Sequence, residues 1–114
     1  MAVKNEYEVL DLISAFLTAS KEDPRIGSTH ISLYTSLVYF WQKQGCDHPV
    51  SFFRRDIVPI CKISGTATFH KIIKELNDFG YVKYIPSFSR YLGSLVYLMK
   101  KNDPAIVKVL TQKW

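Results

Sequence analysis

One amphipathic helix followed directly by two β-rich runs constrains this chain more than any other feature. Four apolar residues recur at the i, i+3, i+4 and i+7 spacing of a helix that buries one face: Phe69, Ile72, Ile73 and Leu76. Gly80 then supplies a left-handed helix stop. Residues 81–85 and 94–99 are rich in β-branched and aromatic side chains, and residues 86–93 between them suit a projecting loop. The pattern predicts a helix over about 65–79 followed by a β-hairpin.

Two helices and a short strand are predicted before this unit. Residues 6–19 carry apolar side chains on more than one face, which predicts an N-terminal accessory helix. Residues 28–44 are apolar around most of the helical circumference, so this helix is expected at the centre of the fold, with Ser28 or Thr29 as its N-cap. Residues 50–52 then predict a short strand.

The segment before the amphipathic helix is harder to place. Residues 54–62 predict a short third helix, but Pro59 lacks the amide hydrogen that a helix interior needs, which leaves the register of this helix open. A tight turn follows, with Ser64 or Thr66 as the N-cap of the next helix. Residues 104–114, which begin with proline, predict a short C-terminal helix.

These elements predict a mainly α-helical α+β fold with a small β-hairpin. A chain of 114 residues is one domain's worth, so residues 1–114 are assigned to a single domain with residues 28–99 as its core. The 47 % content of hydrophobic residues is too high for a disordered chain. No stretch is long and apolar enough to cross a membrane, and the first residues lack the pattern of a secretion signal. Cys46 and Cys61 fit reduced thiols, and a cytoplasmic location is expected.

The net charge of +5 is divided unevenly along the chain. Residues 1–50 carry four lysine and arginine residues against six carboxylates, whereas residues 51–114 carry eleven against four. The second part favours a polyanionic partner, because a cationic surface concentrates phosphate-bearing molecules. A merely solvated basic surface is the alternative interpretation.

The stretch Ile63–Leu76, followed by Gly80–Tyr84, resembles the recognition helix and first wing strand of small bacterial winged helix-turn-helix proteins. The likeness extends to Ile31–Tyr34 upstream and Gly93–Leu98 downstream, and Pro59 departs from the pattern. Such proteins are commonly encoded by plasmids, phages and mobilisable elements. The resemblance implies a winged helix-turn-helix fold, binding to double-stranded DNA and a place in the nucleoid.

The side of the amphipathic helix opposite its apolar stripe carries small, hydroxylic and basic residues. Such residues allow close approach to base edges in the major groove, while a hairpin tip reaches the flanking backbone or the minor groove. The candidate DNA contacts are Arg54, Arg55, Lys62, Ser64, Thr66, Thr68, His70, Lys71, Lys74, Ser87, Ser89, Arg90 and Tyr91. Two alternatives stay open: the helix face is simply solvated with i,i+4 charge pairs, or Arg54 pairs with Asp56 or Glu75.

The first helix and the C-terminal segment are more apolar than a complete winged-helix core requires. Either they enlarge the core or they form the seam of a homodimer, which is usual for domains that read two-fold operators. The residues assigned to a dimer surface are Tyr7, Leu10, Ile13, Phe16, Ile106, Leu110 and Trp114.

The sequence contains no motif typical of catalysis. Nucleophile elbow, P-loop, dinucleotide fingerprint and HExxH motifs are absent, and Cys46, His48, Cys61 and His70 lack the paired spacing of zinc ligands. We therefore expect a non-enzymatic protein without metal or cofactor, acting as a small transcriptional regulator or as an accessory factor of a mobile element. A protein-interaction adaptor with the same fold is the alternative, because fold alone does not decide between these functions.

Overall fold

The computed structural model describes residues 2–87 and 91–99, with side chains from Glu8 onward. These residues form four helices and a three-stranded antiparallel sheet in a mixed α+β arrangement. The helices are α1 (Ala2–Lys21), α2 (Ser28–Lys43), α3 (Arg54–Cys61) and α4 (Thr66–Asp78), and the strands are β1 (Val50–Phe52), β2 (Val82–Ile85) and β3 (Ser94–Leu98). The helix expected over 104–114 lies outside the described residues.

Helix α2 occupies the centre of the fold, as its apolar circumference predicts. Helices α1, α3 and α4 and strand β1 all pack against it. Its most buried apolar side chains are Leu33, Tyr34, Leu37 and Val38. Contacts with several elements explain why apolar residues occupy most of the circumference of this helix, while Tyr39, Gln42 and Lys43 are exposed.

Helix α1 enlarges this core. The ring of Phe16 stacks on the ring of Tyr34, with centroids 4.0 Å apart and planes within 4°. Because Phe16 is buried, its assignment to a dimer surface is wrong. Of the other residues assigned to that surface, Leu10 is exposed and Ile13 is half-buried. The side chains of Tyr7, Ile106, Leu110 and Trp114 lie outside the described part.

Both helices that were expected to begin at serine or threonine caps begin after glycine. Gly27 is the N-cap of α2, and its N–H donates to Nδ1 of His30 at 3.0 Å, so the imidazole takes the place of a capping carboxylate. Gly65 is the N-cap of α4, and no side chain caps that helix. The predicted caps were therefore wrong: Ser28 or Thr29 for α2, and Ser64 or Thr66 for α4.

Helix α3 continues through Pro59, which settles its register. Ile57 and Cys61, four residues apart, are its buried side chains, and Pro59 is exposed. The helix ends where Lys62 adopts left-handed backbone angles, with φ of 64°, and donates its N–H to the carbonyl of Val58 at 2.8 Å. The sequence-predicted range of 54–62 is thus correct to within one residue.

Strand β3 lies between β1 and β2 and pairs antiparallel with both. Val96 stands opposite Val50 on one side and opposite Tyr84 on the other. One face of the sheet packs on the helices through its buried residues Val50, Phe52, Val82, Val96 and Leu98. The alternation of buried and exposed residues along β1 and β3 follows from the two-residue period of a strand.

Two side-chain amides bind the outer edges of the sheet. The Gln44 side chain accepts the N–H of Ser51 at 3.0 Å and donates to the carbonyl of the same residue at 2.5 Å. On the opposite edge, Oδ1 of Asn77 accepts the N–H of Tyr84 at 2.9 Å. The N–H and carbonyl of Ser51 and the N–H of Tyr84, which face away from β3, therefore have partners within the chain.

The loop between α1 and α2 is fastened to the start of β2 through Asp23. Its carboxylate accepts hydrogen bonds from the Tyr81 hydroxyl at 2.8 Å and from the Arg25 guanidinium at 2.8 Å. The Arg25 guanidinium also lies 4.0 Å from the centroid of the Phe79 ring. The hydrogen bond from Arg25, more than that from Tyr81, holds the pKa of Asp23 well below its usual range.

Candidate nucleic-acid interface

Helix α4 divides cleanly into a buried side and an exposed side. The four residues of the predicted apolar stripe, Phe69, Ile72, Ile73 and Leu76, are all buried. Ala67, Lys71 and Lys74 on the opposite side are exposed. The helix ends before Gly80, whose φ of 89° is the left-handed conformation that the sequence predicts there.

The turn that leads into α4 is held from both sides. The Arg54 guanidinium donates to the carbonyl oxygen of Ser64 and lies 5.8 Å from the centroid of the Phe69 ring. The hydroxyl of Ser32, on α2, donates to the carbonyl of Cys61. Arg54 is half-buried and positions the start of α4, and neither Asp56 nor Glu75 forms a salt bridge with it among the described residues.

A second contact joins the C-terminal part of α4 to the start of α2. Nε2 of His30 lies 2.8 Å from Oε1 of Glu75. Because Nδ1 of His30 accepts the N–H of Gly27, the neutral ring carries its proton on Nε2 and donates it to the carboxylate. This bond draws Glu75 toward α2 and away from the exposed side of α4.

None of the described residues forms an ion pair with the exposed lysines of α4. Lys71 precedes Glu75 by four residues and Lys74 precedes Asp78 by four, which is the spacing at which i,i+4 ion pairs form. Neither ion pair is seen in the part of the chain that the structure describes, where the pairs found are Arg25 with Asp23 and His30 with Glu75. The exposed side of α4 therefore lacks the i,i+4 ion pairs expected under the alternative interpretation, in which this side is simply solvated.

Nine of the thirteen predicted contact residues are exposed. Arg55 and Lys62 are exposed at the two ends of α3, and the Arg55 guanidinium lies 4.5 Å from the centroid of the Phe53 ring. The exposed residues of the predicted set are Arg55, Lys62, Ser64, Thr66, Thr68, His70, Lys71, Lys74 and Tyr91. Arg54 and Ser87 are half-buried, and Ser89 and Arg90 lie outside the described residues.

Two large side chains among the described residues between β2 and β3 are strongly exposed. Tyr91 is 82 % exposed and Leu92 is 68 % exposed, whereas the backbone N–H of Ser87 lies 3.4 Å from the Ser94 hydroxyl. Gly93 packs so closely on β1 that a Cβ atom there would meet the carbonyl oxygen of Phe52 at 2.6 Å. Glycine at this position lets the segment turn back into β3 against the edge of the sheet.

Sequence reasoning missed the residues that hold α4 in place. His30 and Glu75 are 45 residues apart, and nothing in their local spacing indicates that they meet. The Arg54 contact with the Ser64 backbone leaves no sequence signal either, because any residue at 64 offers the same carbonyl. The one available clue was the histidine three residues after Gly27, at the position where a capping side chain acts.

The described residues offer little for other chemistry. No group of three or more histidine, cysteine, aspartate and glutamate side chains suited to a metal ion occurs among them. A pocket of about 200 Å³ opens at the base of the hairpin, lined by Ser51, Ile85, Pro86, Ser87, Leu92, Gly93 and Leu95. The described residues that line it carry no acidic or basic side chain.

Comparisons of the chain with models of known protein families, with curated protein sequences and with solved structures found no match. Within the described residues, no helix is both long and apolar enough to span a membrane.

Proposed function

We propose that the chain is a winged-helix protein that binds double-stranded DNA without catalysing a reaction. The order helix, strand, helix, helix and hairpin over residues 28–99 supports this proposal, because two helices joined by a tight turn and followed at once by a hairpin form the winged helix-turn-helix arrangement. In this proposal α4 enters the major groove, and residues 86–93 form the wing.

One observation carries the proposal: Lys71 and Lys74 face solvent with no described carboxylate partner, while the nearest carboxylate on α4 is engaged by His30. A helix face that keeps its cations unpaired gains free energy when it meets phosphates, because bound counterions are released from the nucleic acid. Arg55 and Lys62 would extend this basic surface toward the DNA backbone.

The small residues at the start of α4 would contact base edges in the major groove. Ser64, Thr66 and Thr68 are exposed, and their hydroxyls can donate to or accept from base edges and phosphates. Arg54 would act indirectly, since it fixes the turn from which these hydroxyls project. The biological role we propose is occupancy of a DNA site, by a small transcriptional regulator or an accessory factor of a mobile element.

Fluorescence anisotropy with a labelled mixed-sequence duplex tests the proposal across a salt series. If three or four phosphates are neutralised, log K falls with log salt with a slope of roughly −3 to −4. The double variant Lys71→Ala/Lys74→Ala is expected to weaken binding and to reduce the steepness of this slope by about 2. Lys21→Ala/Lys43→Ala removes the same charge from α1 and α2, and is expected to leave the slope nearly unchanged.

Two results would overturn the proposal. One is the absence of binding at low salt. The other is binding that both double variants weaken equally, which would indicate a response to net charge alone. Either result would favour the adaptor function, in which the α4 surface contacts a protein.

A further inference from the structure

Helix α4 carries one histidine, His70, at the border of its exposed side. The His70 side chain is exposed, and its ring meets the ring of Phe69 edge-on, with centroids 6.0 Å apart and planes at 72°. The imidazole therefore lies against the helix and keeps much of its surface open to solvent. An imidazole differs from the other basic groups of the proposed DNA-binding surface, because its charge changes between about pH 5 and pH 8.

Within α4, the cations lie near His70 and the carboxylates lie away from it. Lys71 is the next residue, and Lys74 lies one turn further along on the same side; both are exposed. Glu75 lies about 140° around the helix from His70, and its carboxylate is bonded to α2. Asp78 lies about two turns, or roughly 12 Å, further along the axis. The side of α4 that carries His70 therefore has no carboxylate within one turn of it.

The elements that pack against α4 leave this side free of carboxylates as well. Helix α2 and strand β2 both contact α4, and neither contains an aspartate or a glutamate. Among their ionisable groups, His30 is already bonded to α4 on its other side, and Lys83 is exposed. From α3, the Arg54 guanidinium lies 5.8 Å from the centroid of the Phe69 ring that His70 also meets. A phosphate that approaches His70 therefore finds cations and no carboxylate from these two elements.

We propose that His70 is a proton-dependent phosphate contact, so that the protein binds DNA more tightly at mildly acidic pH than at pH 8. This inference rests on the DNA binding proposed above. The protonated ring is a cation with two N–H donors, and a phosphate within reach of it favours this charged form. DNA binding then takes up a proton from solvent, and affinity rises as the pH falls. At low pH the ring adds one cation to those of Lys71 and Lys74.

Fluorescence anisotropy with the labelled mixed-sequence duplex tests this contact at about pH 5.5 and about pH 8, two conditions on either side of the range in which an imidazole titrates. A salt series is measured at each pH. For the parent chain, the slope of log K against log salt should be steeper by about 1 at the lower pH, because one further phosphate is neutralised.

Three variants assign this pH response to a residue. His70→Gln keeps a polar side chain that takes up no proton, and should give the same slope at both pH values. His70→Lys is charged throughout, and should show at pH 8 the steeper slope that the parent shows only in acid. His48→Gln removes the other exposed histidine, whose ring stacks with those of Trp41 and Tyr97, and should retain the response of the parent.

The outcomes separate this inference from the DNA binding on which it rests. Binding with equal slopes at both pH values in the parent would overturn the role of His70 and leave the DNA binding in place. A pH response that persists in His70→Gln would overturn it too, and would assign the titration to another group such as His30. Absence of binding at both pH values would overturn both proposals. Circular dichroism at each pH confirms that the helices of every variant are retained.

Discussion

His30 connects two helices through its two ring nitrogens, with Nδ1 accepting from the Gly27 backbone and Nε2 donating to Oε1 of Glu75 at 2.8 Å. The ring is buried, and the Glu75 side chain is 31 % exposed. The same histidine thus caps α2 and fixes the position of α4. A carboxylate on the proposed DNA-binding helix is held away from the phosphates by this bond.

The coupling between His30 and Glu75 is measurable by a double-mutant cycle. His30→Ala leaves the Gly27 N–H and the Glu75 carboxylate without their partner, and should lower the free energy of unfolding by about 1–3 kcal/mol. With Glu75→Ala, the coupling free energy from urea unfolding should be about 1 kcal/mol. The matched pair His30→Ala and Lys74→Ala should show coupling within about 0.5 kcal/mol of zero, and a similar coupling in both pairs would contradict the assignment.

Acid should weaken the attachment of the α1–α2 loop. Because the pKa of Asp23 is lowered in the folded protein, its stabilising effect is present above the pKa of the unfolded carboxyl, about 3.9, and is lost as the pH falls further. Asp23→Asn should cost about 2 kcal/mol at pH 7, and this difference from the parent should shrink between about pH 4 and pH 2. Urea unfolding at several pH values measures it.

The control for Asp23 is Glu22→Gln, which neutralises the adjacent, exposed carboxylate. Its effect on the free energy of unfolding should stay within about 0.5 kcal/mol across this pH range. A pH-independent loss for Asp23→Asn would show that the carboxylate charge contributes nothing to the loop.

Arg54 and Arg55 are neighbours in sequence with different predicted roles. Arg54→Ala removes the contact with the Ser64 carbonyl and the packing over Phe69, and should lower the free energy of unfolding by about 1–3 kcal/mol. Arg55→Ala should leave stability within about 0.5 kcal/mol and reduce the steepness of the DNA-binding salt slope by about 1. Thermal unfolding and anisotropy on both variants separate the two roles, and identical behaviour would refute the distinction.

Gly93 should be intolerant of any side chain. A Cβ at this position would lie 2.6 Å from the carbonyl oxygen of Phe52, so Gly93→Ala must displace the backbone of β1 or β3 and should cost about 1–3 kcal/mol. The control Gly65→Ala places a methyl group 3.5 Å from the Thr68 hydroxyl, and should cost less than about 1 kcal/mol. A larger loss for Gly65→Ala in chemical denaturation would contradict the proposed packing.

The elements of this fold were largely predictable because their signals are local. The stripe of α4, the stop at Gly80 and the two hairpin strands are each written in consecutive residues, and the structure confirms them. The central position of α2 followed in the same way from its apolar circumference. Periodicity shows which faces of an element are apolar, and this information was sufficient to predict these elements.

Contacts between distant residues could not be predicted in this way. A wide apolar face on α1 does not reveal which of its residues enter the core, and Phe16 was therefore misassigned. The capping of α2 depends on an imidazole that is itself oriented by Glu75, so the local preference for Ser28 or Thr29 was overruled by a tertiary hydrogen bond. The basic surface was predicted residue by residue, but the absence of an ion pair between Lys71 and Glu75 depends on this same long-range bond.

The side-chain amides of Gln44 and Asn77 occupy backbone groups at the edges of the small sheet that could otherwise pair with a strand from another molecule. Ser51 is the residue of β1 whose backbone faces outward, and Gln44 binds both its N–H and its carbonyl as a neighbouring strand would. A strand from another molecule would first have to displace that side chain, and on the other edge the side chain of Asn77. Exposed Tyr91 and Leu92 therefore belong to a sheet whose Ser51 and Tyr84 edge groups are already bonded, and these groups are not free for the edge-to-edge pairing from which fibrils grow.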